Sequence, residues 1–254
     1  MLSIHPERAH DLGAGGESLY FDSLEPVRRY RDGFGNICSR IVAPAGTAAF
    51  RGEAVVHDHG QPDPIQPAAE EIPVARLPDD VLLYLMGSRY CETDELATFA
   101  WSRFANTTPG WWRVQAICDF VHGHLTFAYS NARSTRTALA AYNERTGVCR
   151  DFAHLAITLC RAMNIPARYC TGYLGDIGVP PVPDPMDFSA WFEAYLGGRW
   201  YTFDARHNVP RIGRIVMARG RDAADVPLIT SFGPHVLTKF QVLTGEVRQY
   251  AATA

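Results

Sequence analysis

The sequence predicts an α+β fold in which one amphipathic helix packs on an antiparallel sheet, behind a small N-terminal β unit. Three observations predict it. Residues 143–155, Asn143-Glu144-Arg145-Thr146-Gly147-Val148-Cys149-Arg150-Asp151-Phe152-Ala153-His154-Leu155, break at Thr146-Gly147 and then place apolar residues at Phe152, Leu155, Ala156, Leu159 and Met163. That three-and-four spacing builds one helical face. Downstream, residues 187–195 and 199–204 alternate like strands and are joined by Leu196-Gly197-Gly198, a hairpin signature. The first 75 residues have a third texture, with short β-like runs at 18–20, 37–42 and 54–56 separated by Asp32-Gly33-Phe34-Gly35-Asn36 and Pro44-Ala45-Gly46.

Taken in order, the early runs predict a small antiparallel β unit over residues 1–75. The stretch Gln61-Pro62-Asp63-Pro64-Ile65-Gln66-Pro67, with Pro73 and Pro78 following, cannot be helical and reads as a linker to a second region, 76–254. Helices are then expected from Asp79-Asp80 and from Thr93-Asp94-Glu95, the latter resembling a capped start. Residues 111–125 give the strongest helix, with Val114, Ile117, Cys118, Val121 and Leu125 on one face, and Phe127-Ala128-Tyr129 runs out of it as an extended piece. A short helix over 137–142 leads into the turn before Cys149. Ile165-Pro166-Ala167 ends the long helix, and residues 167–173 join the hairpin strands in a central sheet. Residues 178–185 carry four prolines in eight positions and form a loop that either shapes a substrate groove or only connects. Strands are expected at 212–217 and 236–242, and a frayed tail from Arg248.

Bulk composition excludes several functions. With 47% hydrophobic residues the chain can build a real core, and a net charge of −3 from interspersed charges offers neither a nucleic-acid face nor a polybasic membrane patch. The chain has no apolar run of about 18 residues and no signal-peptide layout, so a cytoplasmic protein is expected. Six cysteines without a CxxC pair suggest neither a zinc knuckle nor a disulfide framework. His57-Asp58-His59 and His122-Gly123-His124 have poor spacing for a shared ion, so no metal and no cofactor are expected, and the Asn106-Thr107-Thr108 sequon is set aside for want of a secretion signal.

Cys149 falls in the first helical turn, where unpaired N–H groups and the positive end of the helix dipole favour a thiolate. With that cysteine in place, three blocks resemble the transglutaminase-like superfamily, the papain-related core of bacterial transglutaminase-like proteins and cysteine proteases. They are Gly147-Val148-Cys149-Arg150-Asp151-Phe152-Ala153, then residues 161–173 from Arg161-Ala162-Met163-Asn164 to Cys170-Thr171-Gly172-Tyr173, then Ser189-Ala190-Trp191-Phe192-Glu193 with Trp200-Tyr201-Thr202-Phe203-Asp204. The likeness is close over roughly residues 80–210. It implies a papain-like core, a Cys149 nucleophile and an Asp204 that orients a histidine. That histidine should open the Ala190-Trp191 strand, and Ser189 stands there instead.

Two readings follow. In one the site is silent, Ser189 bonds Asp204 or Cys149, and the cleft holds a peptide or protein partner. In the other the base arrives from His207, three residues past Asp204, and the resemblance implies acyl chemistry on glutamine side-chain or peptide amides through a Cys149 thioester, resolved by water or an amine. Asp151 is read as a first-turn helix acid, and His154, some 140° around the helix from Cys149, as a core group. Glu193 is expected to pair with Arg150 or Arg168 or else to lie on a solvated face. Tyr142 is a candidate oxyanion donor against a packed-aromatic alternative. Trp111, Trp112, Trp191, Trp200 and Tyr201 are expected in the core.

Overall fold

The computed structural model describes residues 3–181 and 187–247. Strands β1 (Leu12–Phe21), β2 (Arg28–Arg31), β3 (Ile37–Arg40) and β4 (Phe50–Val56) form two antiparallel ribbons, β1 with β4 and β2 with β3. The Asp32–Asn36 turn is closed by Asp32, whose carboxylate accepts from the backbone N–H groups of Phe34 and Asn36 and from the Asn36 side chain. Aspartate suits this turn because its short side chain mimics a backbone acceptor.

Helices α1 (Thr93–Phe104) and α2 (Trp111–His124) come next, and a two-residue strand β5 (Thr126–Phe127) leaves α2, shorter than the extended piece expected over 127–129 because Tyr129–Asn131 turns into a 3₁₀ helix. Then follow α3 (Ala138–Glu144), a second short strand β6 (Thr146–Gly147) that pairs β5 in parallel, and α4 (Cys149–Ala162). The main sheet has β7 (Ala167–Leu174), β8 (Ser189–Leu196), β9 (Arg199–Phe203) and β10 (Arg214–Gly220) in the order β10-β7-β8-β9, each pair antiparallel. The β8–β9 hairpin turns on Gly197 and Gly198, both at positive φ (55° and 90°), which glycine adopts without Cβ strain.

Alternation along β8 divides the sheet into two faces. Ala190, Phe192, Ala194 and Leu196 join the main core with Leu155, Ile157 and Leu159 of α4, whereas Trp191 packs with Cys170 and Val216. Each such fully buried large apolar side chain contributes about 2 kcal/mol by leaving water. Helix α4 is buried on nearly every side, so the charges it carries must find partners inside the protein. Its one deeply buried cation, Arg161, is satisfied by the carbonyls of Ala167, Met86 and Arg221 and by Ser88 Oγ.

N-terminal residues lie against the sheet: the His5 N–H donates to Val216 O (2.9 Å), and the buried Asn36 side chain donates to Arg219 O (2.7 Å) and accepts from Arg219 N (2.8 Å). Arg219 also reaches Glu193 and Glu7.

Several expectations change. Residues 79–85 form a 3₁₀ helix, not an α-helix; Glu92 occupies the cap position of α1 but its carboxylate accepts the Leu139 N–H (2.9 Å) and caps no N–H of α1, and Thr93 Oγ1 is buried without a partner. The segment 236–242 is not a strand; it carries no regular structure, because its side chains are mostly exposed and it pairs with no edge. Trp112 is 51% exposed, since α2 turns it away from the packed face that holds Trp111. Residues 178–181 are a loop as expected; residues 182–186 of that proline-rich segment and the tail from Arg248 lie outside the described residues. Among the described residues no helix is long and apolar enough to cross a membrane.

Candidate active site

Everything in front of Cys149 serves to fix one turn. Helix α3 ends at Arg145 in the left-handed conformation (φ 55°), and the β5–β6 pairing holds Thr146 and Gly147. Asp151, three residues into the turn, accepts the Val148 N–H at 2.9 Å and the Arg136 guanidinium at 3.1 Å. This is the acid half of a capping box, with a buried arginine behind it. Gly147 is required here by space: a Cβ would stand 2.6 Å from Asp151 Cβ. Asp151 is therefore the helix acid the sequence suggested.

Cys149 lines a cavity of about 310 Å³ with Arg150, Tyr169, Thr171, Asp187 and Phe188. Its Sγ lies 4.0 Å from the Phe188 carbonyl. The sequence predicted a depressed thiol, and here the expectation fails: burial, the largest influence, pushes the thiol up to about 11, against the pull of the nearby Arg206 guanidinium. Desolvation disfavours the thiolate by more than Arg206 and the Ala190 N–H favour it. Burial also raises the Asp187 carboxyl.

Asp204 closes the β9 end of the site. Its Oδ2 accepts from His207 Nδ1 and from Arg214, both at 2.8 Å, and its Oδ1 accepts the backbone N–H groups of Arg206 (3.0 Å) and His207 (3.1 Å). Burial alone would raise this carboxyl, but Arg214 and His207 together hold it well below the ordinary carboxylate range. A carboxylate can only accept, so the proton sits on His207 Nδ1 and leaves Nε2 as the basic nitrogen. His207 and Asp204 thus form a hydrogen-bonded imidazole–carboxylate pair. Among the described residues no imidazole is hydrogen-bonded to Sγ, so the predicted fold of His207 over the thiol is not formed in this state.

Ser189 is buried, and its Oγ has no hydrogen-bond partner, so the expected bond to Asp204 or Cys149 is absent. Asp204 Oδ2 is already occupied, and Ser189 does not line the cavity that Ala190 and Phe188 do. His154 is wholly buried, stacks on Tyr90 and accepts the Ala223 N–H, as a core histidine. Tyr142 packs against Phe99 and His124 away from the cavity lining. Glu193 is not on a solvated face: it is 7% exposed, bonded to Arg168 (2.5 Å) and Arg219 (2.9 Å). His122 and His124 face the carbonyls of Ala205, Arg206 and Tyr142 rather than each other.

Sequence reasoning missed Arg214, Arg206 and Asp187. Arg214 joins Asp204 to Asp63 (2.8 Å) and stacks over Trp191; the available signal was a charged residue opening a strand whose next four residues are apolar. Arg206 covers the Phe127 ring at 3.8 Å, a contact across 79 positions of sequence that no local pattern announces. Asp187 lies two residues before β8 begins, and nothing in the local pattern singles it out.

Comparison with known proteins follows the same outline. Residues 101–205, from α1 through Asp204 and Ala205, match the model of the transglutaminase-like superfamily. An uncharacterized protein of Mycobacterium tuberculosis is 32% identical over 223 residues, covering 78% of this chain and 69% of that protein. An uncharacterized protein of Mycobacterium leprae is 36% identical over 116 residues, 44% of this chain and 41% of that one. A crystal structure from Cytophaga hutchinsonii, of a protein proposed to be a cysteine protease, superimposes with a TM-score of 0.68 at 31% identity, covering 91% of this chain and 86% of that chain. A helix with cysteine at its start, an antiparallel sheet ending on an acid, and the match to the superfamily model all agree: the chain belongs to the transglutaminase-like superfamily.

Proposed function

We propose that the protein is a thiol acyltransferase or amidohydrolase acting on glutamine side-chain or peptide amides of a protein or peptide substrate. Cys149 attacks the amide carbonyl, the His207–Asp204 pair takes the thiol proton and delivers it to the departing ammonia or amine, and water or an amine resolves the thioester. The observation that carries this reading is the 2.8 Å bond from His207 Nδ1 to Asp204 Oδ2, because it supplies the correctly protonated imidazole that Ser189 cannot. With the thiol neutral in the free protein, the proton moves during attack and not beforehand. His207 closes onto Sγ when substrate occupies the cavity, as catalytic hydrogen bonds tighten in the complex.

A second reading, a catalytically silent cleft that binds a peptide, is favoured by the upward-shifted thiol. Release of ammonia from a blocked glutaminyl peptide, and cleavage of an unstructured protein, separate the two. The enzymatic reading expects turnover that vanishes in Cys149→Ser and falls roughly 10²- to 10⁴-fold in His207→Ala. A wild type that turns over neither substrate yet binds the peptide, with binding lost on filling the cavity by Thr171→Trp, would establish the silent cleft.

A further inference from the structure

Strand β2, Arg28-Arg29-Tyr30-Arg31, is exposed at all four positions, and its sheet holds only one other strand, β3. Among the described residues, no backbone group of residues 28–31 makes a hydrogen bond beyond that pairing. The outer edge of β2 therefore offers unpaired N–H and C=O groups to an added strand. The ribbon is fixed to the body of the protein, because Asn36 in its turn is wholly buried and bonds both the carbonyl and the N–H of Arg219.

Charge on this edge is one-sided. Arg28 stands opposite Arg40 across the ribbon, a like-charge pair that disfavours the hairpin. Arg40 lies over the Tyr30 ring (5.7 Å to its centroid), which is itself 45% exposed, and alternation puts Arg29 and Arg31 on the other face. None of these four arginines forms an ion pair with a described residue. The acids nearby are committed elsewhere: Asp32 closes the turn, and Glu17, whose charge Arg29 feels, accepts the Ile4 N–H. Charges that merely guard an edge against self-pairing are of either sign. Four unpaired arginines around an exposed tyrosine, the residue types that anchor interfaces, ask for an acidic partner.

We infer that β2 takes an acidic, extended peptide segment of a protein partner as a third strand. Four residues of strand span about 13 Å and seat a peptide stretch of similar length through its backbone, while guanidinium forks take its carboxylates. Nucleic acid and anionic membrane fit less well: neither supplies backbone groups to a strand edge, and the net charge of −3 on the whole chain repels an extended polyanion. The inference goes beyond the catalytic reading and does not depend on it.

Fluorescence anisotropy on the full-length protein tests it, with a labelled hexapeptide of alternating Glu and Val, its Lys–Val counterpart, and the Glu–Val peptide N-methylated along its backbone. Saturable binding of the Glu–Val peptide is expected, weakening with added salt and at least about tenfold in Arg29→Gln/Arg31→Gln. Both side chains are exposed, so circular dichroism should show that variant folded. N-methylation removes donors without changing charge and should weaken binding by a similar factor. Hydrogen exchange read by mass spectrometry should slow at residues 28–31 when the peptide binds. Absence of binding, equal affinity for the Lys–Val peptide, or affinity unchanged in Arg29→Gln/Arg31→Gln would overturn the inference. An N-methylated peptide that binds as well as its parent would overturn the added strand. Binding lost in Thr171→Trp would place the peptide in the Cys149 cavity instead, and tighter binding of oligothymidylate or phosphatidylserine vesicles would show a different class of partner; either overturns the assignment. Turnover at Cys149 is read separately, so failure here leaves the catalytic reading standing.

Discussion

His207 lies three positions past Asp204, and the turn between them folds so that one carboxylate accepts two backbone N–H groups from the turn as well as the imidazole itself. The carboxylate both shapes the turn and orients the ring. Asp204→Asn should therefore cost more than a charge: one amide cannot serve Arg214 and His207 together, and the amide can donate where a proton is already present. We expect activity to fall at least as far as in His207→Ala. Removing one member of this buried pair with Arg214 should also lower stability by about 3–5 kcal/mol in urea unfolding. Arg214→Met in the Asp204→Asn background should recover part of that loss without recovering activity.

The thiol makes a pH prediction with a defined sign. Burial holds Cys149 neutral up to about 11, so iodoacetamide should alkylate it slowly at neutral pH, with a rate that climbs about tenfold per pH unit toward that value. Arg206 is the cation that opposes burial; Arg206→Gln should slow alkylation further at every pH below the midpoint. A rate that levels off between pH 6 and 8 in the free protein would show a preformed thiolate and contradict the present geometry.

Glu193 offers a second pH-dependent test, of stability alone. Burial disfavours its charge, but Arg219 and Arg168 win and hold its carboxyl below the ordinary value. In the unfolded chain it titrates near the reference of about 4.3. Its contribution is therefore whole above that pH and shrinks as pH falls through the lower folded value. Glu193→Gln should unfold about 3–5 kcal/mol more easily at neutral pH, and the gap to wild type should narrow below about pH 4. A gap independent of pH would mean that packing, not the ion pair, carries the effect.

The turn before the nucleophile is tested by Gly147→Ala. An added Cβ meets Asp151 Cβ at 2.6 Å and Oδ2 at 2.9 Å, so either the carboxylate leaves the Val148 N–H or the β5–β6 pairing opens. A loss of about 1–3 kcal/mol is expected from overpacking, together with loss of activity beyond what destabilisation explains. Circular dichroism melts alongside turnover at a temperature well below the transition separate the two effects.

The fold was legible where one period dominates. The α4 stripe and the Gly197-Gly198 hairpin follow from side-chain spacing, which is a local property. Cys149, Asp151 and Asp204 were legible because each sits at an element boundary that sequence marks with a turn. The rest depends on contacts that spacing does not encode. Arg214 reaches Asp204 only because β10 joins the sheet beyond β7, and the 236–242 run, β-like in composition, finds no edge to pair with. The thiol was misjudged for the same reason: helix position is written in the sequence, whereas the walls that Asp187, Phe188 and Tyr169 build around Sγ come from other elements.

Ser189 gives the sharpest test of how the acid is shared. Its Oγ is buried and unpartnered, at the strand position where a histidine would be expected to meet Asp204. Yet Asp204 Oδ2 is already filled by His207 and Arg214. Ser189→His alone should therefore gain no carboxylate partner, should lose about 1–3 kcal/mol from the added volume, and should not raise turnover. In the double variant Ser189→His/His207→Ala the acid is released to orient the new imidazole, so turnover should exceed that of His207→Ala alone. The two substitutions are thus predicted to be non-additive, with the coupling carried by a single oxygen. A Ser189→His protein more active than wild type, with no further change on removing His207, would show that residue 207 never supplied the base.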